Sequence, residues 1–151
     1  MKLSDSAFLR ICDTLSENVS CLSRHIGCVI VKDNKIISTG YNGPPKGYPH
    51  CIDFCAKHTA EGVKPDNCMA VHAEQNAIIN ARGVDLQGAT LYLNSVVPCF
   101  RCAGLIINAG ITTVVHGHEG VYDMSAMDLF KQCGVSVRYC EDYKENKLNV
   151  Y

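Results

Sequence analysis

His72-Ala73-Glu74 and, further along, Pro98-Cys99-Phe100-Arg101-Cys102 together offer one imidazole, two thiols and a spare carboxylate. Imidazole and thiolate are ligands that zinc prefers, and three protein ligands leave the fourth tetrahedral position open, as in a catalytic rather than a structural site. Water bound there has its pKa pulled down toward ~7, so a hydroxide nucleophile is available at neutral pH. Glu74 lies two positions from a ligand, so it can reach that water without binding the metal and can carry its proton to a leaving group. The expected ligands are therefore His72, Cys99 and Cys102, with Glu74 as proton shuttle. A lone C-x-x-C reads as readily as half of a structural zinc site or a redox pair. Both motifs together, each at the start of an expected helix, favour the catalytic reading.

The positioning elements follow from the pattern around them. Residues from His72 to Arg82 suit a helix that ends at Gly83, a good C′ residue. Pro98 suits the first turn of a second helix, which runs through Cys102 to about Ala109 and stops at Gly110. Each helix N-terminus presents unpaired N–H groups and a positive dipole end, which favour thiolate over thiol. An opening helix spans Ser4 to Glu17, with Ser4 or Asp5 as cap. Ile26–Val31 and Ile36–Tyr41 flank a polar turn and read as a hairpin. Ala89–Leu93, Ile111–Val115 and Val135–Tyr139 read as strands, and Asp123–Cys133 as a further helix before Gly134. Strands alternating with helices imply parallel pairing, and the hairpin adds antiparallel strands, so the sheet is mixed. Residues 42–71 form a long Gly-, Pro-, Cys- and His-rich loop, uncommon unless it is functional or held by something such as a metal.

Composition narrows the field. The 151 residues suit one domain, residues 1–151, and 47% hydrophobic content suits a globular one. No apolar run approaches the ~20 residues of a membrane span, and no apolar leader segment is evident, so a cytoplasmic location is expected. With 14 basic and 15 acidic residues there is no basic face for a phosphate polymer, and a small substrate is favoured over nucleic acid. The ten cysteines then read as ligands or small apolar residues rather than disulfides. Cys12, Cys28 and Cys133 are expected in the core. Cys140 carries no signal, and Cys21, Cys51, Cys55 and Cys68 need another account.

The order H-x-E…P-C-x-x-C is the signature of zinc deaminases, in which hydroxide displaces ammonia from an aromatic ring carbon. Beyond it, His72-Ala73-Glu74-Gln75-Asn76-Ala77-Ile78-Ile79, Gly88-Ala89-Thr90-Leu91-Tyr92-Leu93, Pro98-Cys99-Phe100-Arg101-Cys102 and Ile107-Asn108-Ala109-Gly110-Ile111 resemble the deoxycytidylate (dCMP) deaminase family. So does Gly40-Tyr41-Asn42-Gly43-Pro44-Pro45-Lys46-Gly47, which points to a nucleoside monophosphate within the wider group of zinc deaminases. The resemblance implies a three-layer α/β/α fold around a five-stranded mixed sheet, and hydrolysis of dCMP to dUMP and ammonia for thymidylate supply. It implies that Asn42 binds the deoxyribose, that the Ala73 backbone meets the pyrimidine edge, that Tyr122 closes over the base and that Arg24 binds the phosphate. The last fits the need of a dianion for a charged fork donor. For Arg24 the alternative is a solvated surface charge, and for Tyr122 a half-buried packing residue.

The resemblance also implies a homo-hexamer regulated by dCTP as activator and dTTP as inhibitor, each with Mg2+, at a site including Asn42, Gly43 and Lys46. A Gly-rich loop offers N–H groups to phosphate, though the same residues would also make a plain turn out of the second strand. A second, structural zinc would be held by Cys21, Cys51 and Cys68, with Cys55, His50 or His58 as fourth ligand; buried free thiols are the alternative. Rival functions are a zinc deaminase acting on guanine, cytosine or tRNA adenosine, and a zinc-stabilised binding module without catalysis.

Overall fold

The computed structural model describes residues 2–21, 24–50 and 68–143. Helix α1 (Asp5–Ser16) begins where Ser4 Oγ accepts from the Ala7 N–H at 3.2 Å, and it buries Phe8, Leu9 and Cys12 on one side. Strands β1 (Gly27–Lys32) and β2 (Lys35–Tyr41) close through Asp33 and Asn34, whose φ angles of 51° and 59° make the two-residue turn that matches strand twist. Then follow α2 (Ala73–Asn80), β3 (Thr90–Leu93), α3 (Phe100–Asn108), β4 (Thr113–His116), α4 (Met124–Gln132) and β5 (Ser136–Tyr139).

The described strands form one mixed sheet in the order β2-β1-β3-β4-β5. β1 runs antiparallel to both β2 and β3, and β3, β4 and β5 are parallel. Two apolar clusters sandwich it. On one face α2, α3 and α4 contribute Ala77, Ala103, Ile106 and Phe130 against Cys28, Ile30, Leu91 and Val114. On the other, Phe8, Leu9 and Cys12 of α1 meet Val29, Val31, Tyr92, Val115 and Tyr143. Successive strand residues point to opposite faces, so Cys28 and Ile30 join the first cluster while Val29 and Val31 join the second. This is the expected three-layer α/β/α arrangement. No described helix is long and apolar enough to cross a membrane.

Some expectations need correction. Pro98 lies outside α3, because Cys99 is the cap and the helix starts at Phe100. Helix α2 stops at Asn80 with Ala81 as cap, which puts Gly83 one residue beyond C′. Cys133 is exposed rather than in the core. It caps α4 where the chain leaves helical geometry, with φ −93° and ψ 6°, so the apolar stripe through Ala126 and Phe130 ends before it. Cys12 and Cys28 are fully buried, as expected. Of the second-metal set, Cys51, Cys55 and His58 lie outside the described residues.

Candidate active site

His72 precedes helix α2 and Glu74 lies in its first turn, and the edge of the sheet fixes the helix in place. Ser38 Oγ donates to the Ala77 carbonyl at 2.6 Å. The Asn76 and Asn80 side-chain amides donate to the Tyr41 and Thr39 carbonyls at 2.8 and 2.9 Å. Gly40 allows the approach, since a Cβ there would lie 2.4 Å from the Ala73 carbonyl oxygen and from the Ala77 nitrogen. The helix start is held separately. Val71 and Gly43 exchange two backbone hydrogen bonds, of 2.7 and 3.1 Å, and the His72 N–H donates to Gln75 Oε1 at 2.8 Å. His72 is thereby the N-cap of α2.

Cys99 is the N-cap of α3 and Cys102 lies in its first turn, completely buried. The two helix starts meet. His72 Nδ1 lies 3.3 Å from Cys102 Sγ and 3.6 Å from Cys99 Sγ, and the three atoms all fall within 4.8 Å of one another. Tetrahedral zinc at its usual bond lengths would set such donors roughly 3.5–3.8 Å apart, so the set fits that ion. The electrostatics agree. Cys99 is lowered to about 4 by hydrogen bonds from the Cys102 thiol and the His72 ring. Cys102 is pushed well up because it holds the proton it shares with Cys99, and because it is buried. One thiolate is thus ready for a cation, and a cation binding there would displace the remaining proton.

Glu74 is 5% exposed and its carboxyl is raised above the ordinary range, chiefly by burial. Burial pushes the Cys28 thiol up as well, with the Glu74 charge adding to the effect. A buried carboxylate without a fixed cation is costly to keep ionised. Here it stands beside three metal-type ligands, where a base that readily takes up a proton is useful.

Arg24 and Tyr122, far apart in sequence, come together in a second feature. The Arg24 guanidinium carbon lies 5.2 Å from the centre of the Tyr122 ring, within cation–π range. Both line a cleft of about 290 Å³ with His25, Asn94, Ser95 and His118. Asn94 and His118 were not among the residues singled out from sequence, nor was His25. The signal was available: Asn94 and Ser95 directly follow β3, and His118 lies just past β4. Ligands in parallel sheets bind outside such carboxyl ends.

The remaining expected residues are placed as follows. Asn42 is buried, with both ends of its side-chain amide engaged: Oδ1 accepts from the Ile26 N–H at 2.8 Å and Nδ2 donates to the Arg24 carbonyl at 3.0 Å. The backbone N–H groups of Asn42 and Gly43 already donate to Ile26 and Val71, so neither is free to cradle phosphate in this arrangement. Lys46 is exposed. Ala73 is buried at the first turn of α2. Cys21 and Cys68 are both half-buried.

Relatives bear on this geometry. Residues 2–118 match the model of the cytidine and deoxycytidylate deaminase zinc-binding region. The chain is 33% identical over 148 residues to deoxycytidylate deaminase of Saccharomyces cerevisiae, covering 95% of this chain and 47% of that protein. It spans about half the length of that yeast protein and of its Schizosaccharomyces pombe counterpart, of which it covers 43%. The deoxycytidylate deaminase of Mycobacterium phage D29 is 37% identical over 123 residues, covering 76% of this chain and 94% of that one. Among solved structures, dCMP deaminase from cyanophage S-TIM5 in complex with dCMP and dUMP superposes with a TM-score of 0.72 at 26% identity, covering 89% of this chain and 94% of that one. Sequence match, shared architecture and a His–Cys–Cys cluster beside a buried glutamate converge: this chain belongs to the cytidine and deoxycytidylate deaminase family.

Proposed function

We propose that this protein, acting as one domain over residues 1–151, hydrolyses dCMP to dUMP and ammonia. The observation that carries the chemistry is Glu74, a carboxylate buried two residues from His72 and beside the Cys99–Cys102 pair. The residues that would hold zinc are His72, through Nδ1, with Cys99 and Cys102; the bound ion supplies an activated water at neutral pH. Glu74 is the group that moves protons. Its carboxylate takes one proton from the attacking water and passes it to the ring nitrogen, then takes the second from the oxygen newly bonded to the ring carbon and passes it to the amino nitrogen, which leaves as ammonia, so protons and charge balance across the cycle. Glu74 is buried, with the Cys28 thiol near enough to feel its charge, and that burial keeps bulk water from competing for its proton.

The choice of dCMP rests on Arg24 and Tyr122. A cleft with a guanidinium over an aromatic ring offers a charged fork to phosphate and a π face to a base. Relatives that carry the dCMP deaminase name, including the phage protein matched over nearly its full length, support that choice. By the same likeness, the Ala73 backbone would meet the pyrimidine edge. Regulation by dCTP and dTTP with Mg2+ at Asn42, Gly43 and Lys46, with the exposed Lys46 rather than the engaged N–H groups meeting the phosphates, a homo-hexamer, a cytoplasmic location and a second zinc on Cys21, Cys51 and Cys68 belong to the same reading.

Ammonia release from dCMP, CMP and deoxycytidine, each with and without Mg2+ and either triphosphate, tests it. Turnover of dCMP alone, raised by dCTP and suppressed by dTTP, is the expected result. Turnover indifferent to the triphosphates would remove the regulation and leave the enzyme. Silence on all three substrates in zinc-loaded protein would overturn the assignment.

A further inference from the structure

The cleft lined by Arg24 and Tyr122 has the offset and the charge of an anion site. Val96 also lines it, three residues before Cys99. Three extended residues span at most ~11 Å, so the cleft opens next to the metal-type cluster without including it. In a nucleoside monophosphate the phosphate sits at the opposite end from the reacting amino group, which calls for such an offset. No acidic side chain lines the cleft among the described residues, while Arg24, His25 and His118 all do. These groups differ in what they have left to give. The Asn94 carboxamide is spent on the Gly27 N–H and on Asp13. His25 Nε2 donates to the Cys21 carbonyl at 2.6 Å. The His118 ring makes no hydrogen bond among the described residues, yet the residue is held at three points. Its N–H donates to the Ser95 carbonyl at 3.1 Å, and its carbonyl accepts from His116 Nδ1 at 3.0 Å. Its ring meets that of Tyr143 at 87°, with centroids 6.2 Å apart. Tyr143 is itself buried, with its hydroxyl on Asp13, and it fills the space at Gly117, where a Cβ would lie 2.6 Å from its ring.

We propose that His118 is a second phosphate-binding side chain of the cleft, donating a ring N–H to the substrate's phosphate beside Arg24. The proposal rests on the reading of dCMP as substrate. The two residues divide the work. Arg24 is exposed and brings a permanent charge on a flexible stem, which loses rotamer freedom when it binds. His118 is half-buried and brings a donor whose main chain and ring are set in advance, so little ordering cost remains. A hydrogen bond with one ionised partner is among the strong ones, so even a neutral imidazole serves a phosphate dianion. His118 thereby helps to tell a nucleotide from a nucleoside, and Tyr143, beyond β5, is the residue that braces it.

The test uses the zinc-loaded full chain. His118→Phe keeps a ring against Tyr143 and removes both nitrogens. It should raise KM for dCMP by about 10–100-fold while kcat changes less than about threefold. His118→Asn and His118→Gln each return an amide N–H near one ring nitrogen, and one of them should recover most of the loss, which marks the nitrogen that donates. Inorganic phosphate, used as a competitor of dCMP, should bind His118→Phe more weakly by a similar factor. Deoxycytidine, used in the same way, should change by less than about twofold. A packing role predicts the reverse, with His118→Phe neutral and both amides harmful. That pattern, or an equal loss for deoxycytidine and phosphate, would overturn the proposal and leave dCMP turnover standing. Unsubstituted protein silent on dCMP would overturn the dCMP reading and this proposal with it. Should His118→Phe melt markedly earlier, His118→Leu against His118→Gln decides between the same outcomes.

Discussion

The two functional regions are built on opposite plans. The metal-type cluster stands on two helix starts, each tied to its own neighbours in sequence: His72 caps α2 and Cys99 caps α3, with Cys102 one turn on. The cleft stands on segments outside the regular elements, and distant carboxamides join them. Asn42 binds the segment at Arg24 and Ile26. Asn94 accepts from the Gly27 N–H at 2.7 Å and donates to Asp13 at 2.8 Å, while Asp13 also accepts from the Tyr143 hydroxyl. A reaction centre needs donors held to fractions of an ångström, which helix termini supply locally. A recognition cleft is assembled from segments distant in sequence and depends on buried polar links to keep its shape.

Substitutions can break or sharpen that contrast. Cys99→Ala should have the largest effect, with zinc content falling toward zero and deamination falling below detection, because two remaining protein ligands hold zinc poorly. Metal analysis of the purified protein checks it, and full zinc occupancy would sink the ligand assignment. Glu74→Gln should retain zinc and melting temperature while kcat falls roughly 10⁴-fold, since the proton carrier alone is lost. Retained turnover would remove Glu74 from the chemistry. Asn94→Ala should cost about 2 kcal/mol in denaturant unfolding, because it strands the buried Gly27 N–H and one partner of Asp13. A loss under about 0.5 kcal/mol would mean the cleft does not depend on that link. The smallest effect belongs to Tyr122→Ala. Tyr122 is 63% exposed, so stability should change by less than about 1 kcal/mol, the scale of an exposed cation–π contact. A larger loss would make it a packing residue.

The same contrast explains what could be read from the chain. Residues two or three positions apart announce themselves, so the grouping of His72, Cys99 and Cys102 was legible, as were elements with clear periodicity and the cap Ser4. Arg24 and Tyr122 were suggested by resemblance alone, because no local pattern links residues so far apart. The carboxamide links were hidden for another reason. Asn42 and Asn94 have the same composition whether they face solvent, a ligand or a peptide group, and only the fold decides which. Gly43 depends on the fold in the same way. A glycine-rich stretch suggested free N–H donors, but the Val71 bridge consumes that one and uses it to anchor the approach to His72. Gly40, in the same motif, serves close packing against α2.

The grip of α2 on β2 has a consequence beyond placing His72. β2 is the terminal strand of the sheet, and a terminal strand with open carbonyls is a template on which another chain can add. The Asn76 and Asn80 amides occupy the Tyr41 and Thr39 carbonyls there. The helix that presents His72 thus also blocks that route to self-association. The placing of His72 and the closing of this sheet edge therefore depend on the same two amides.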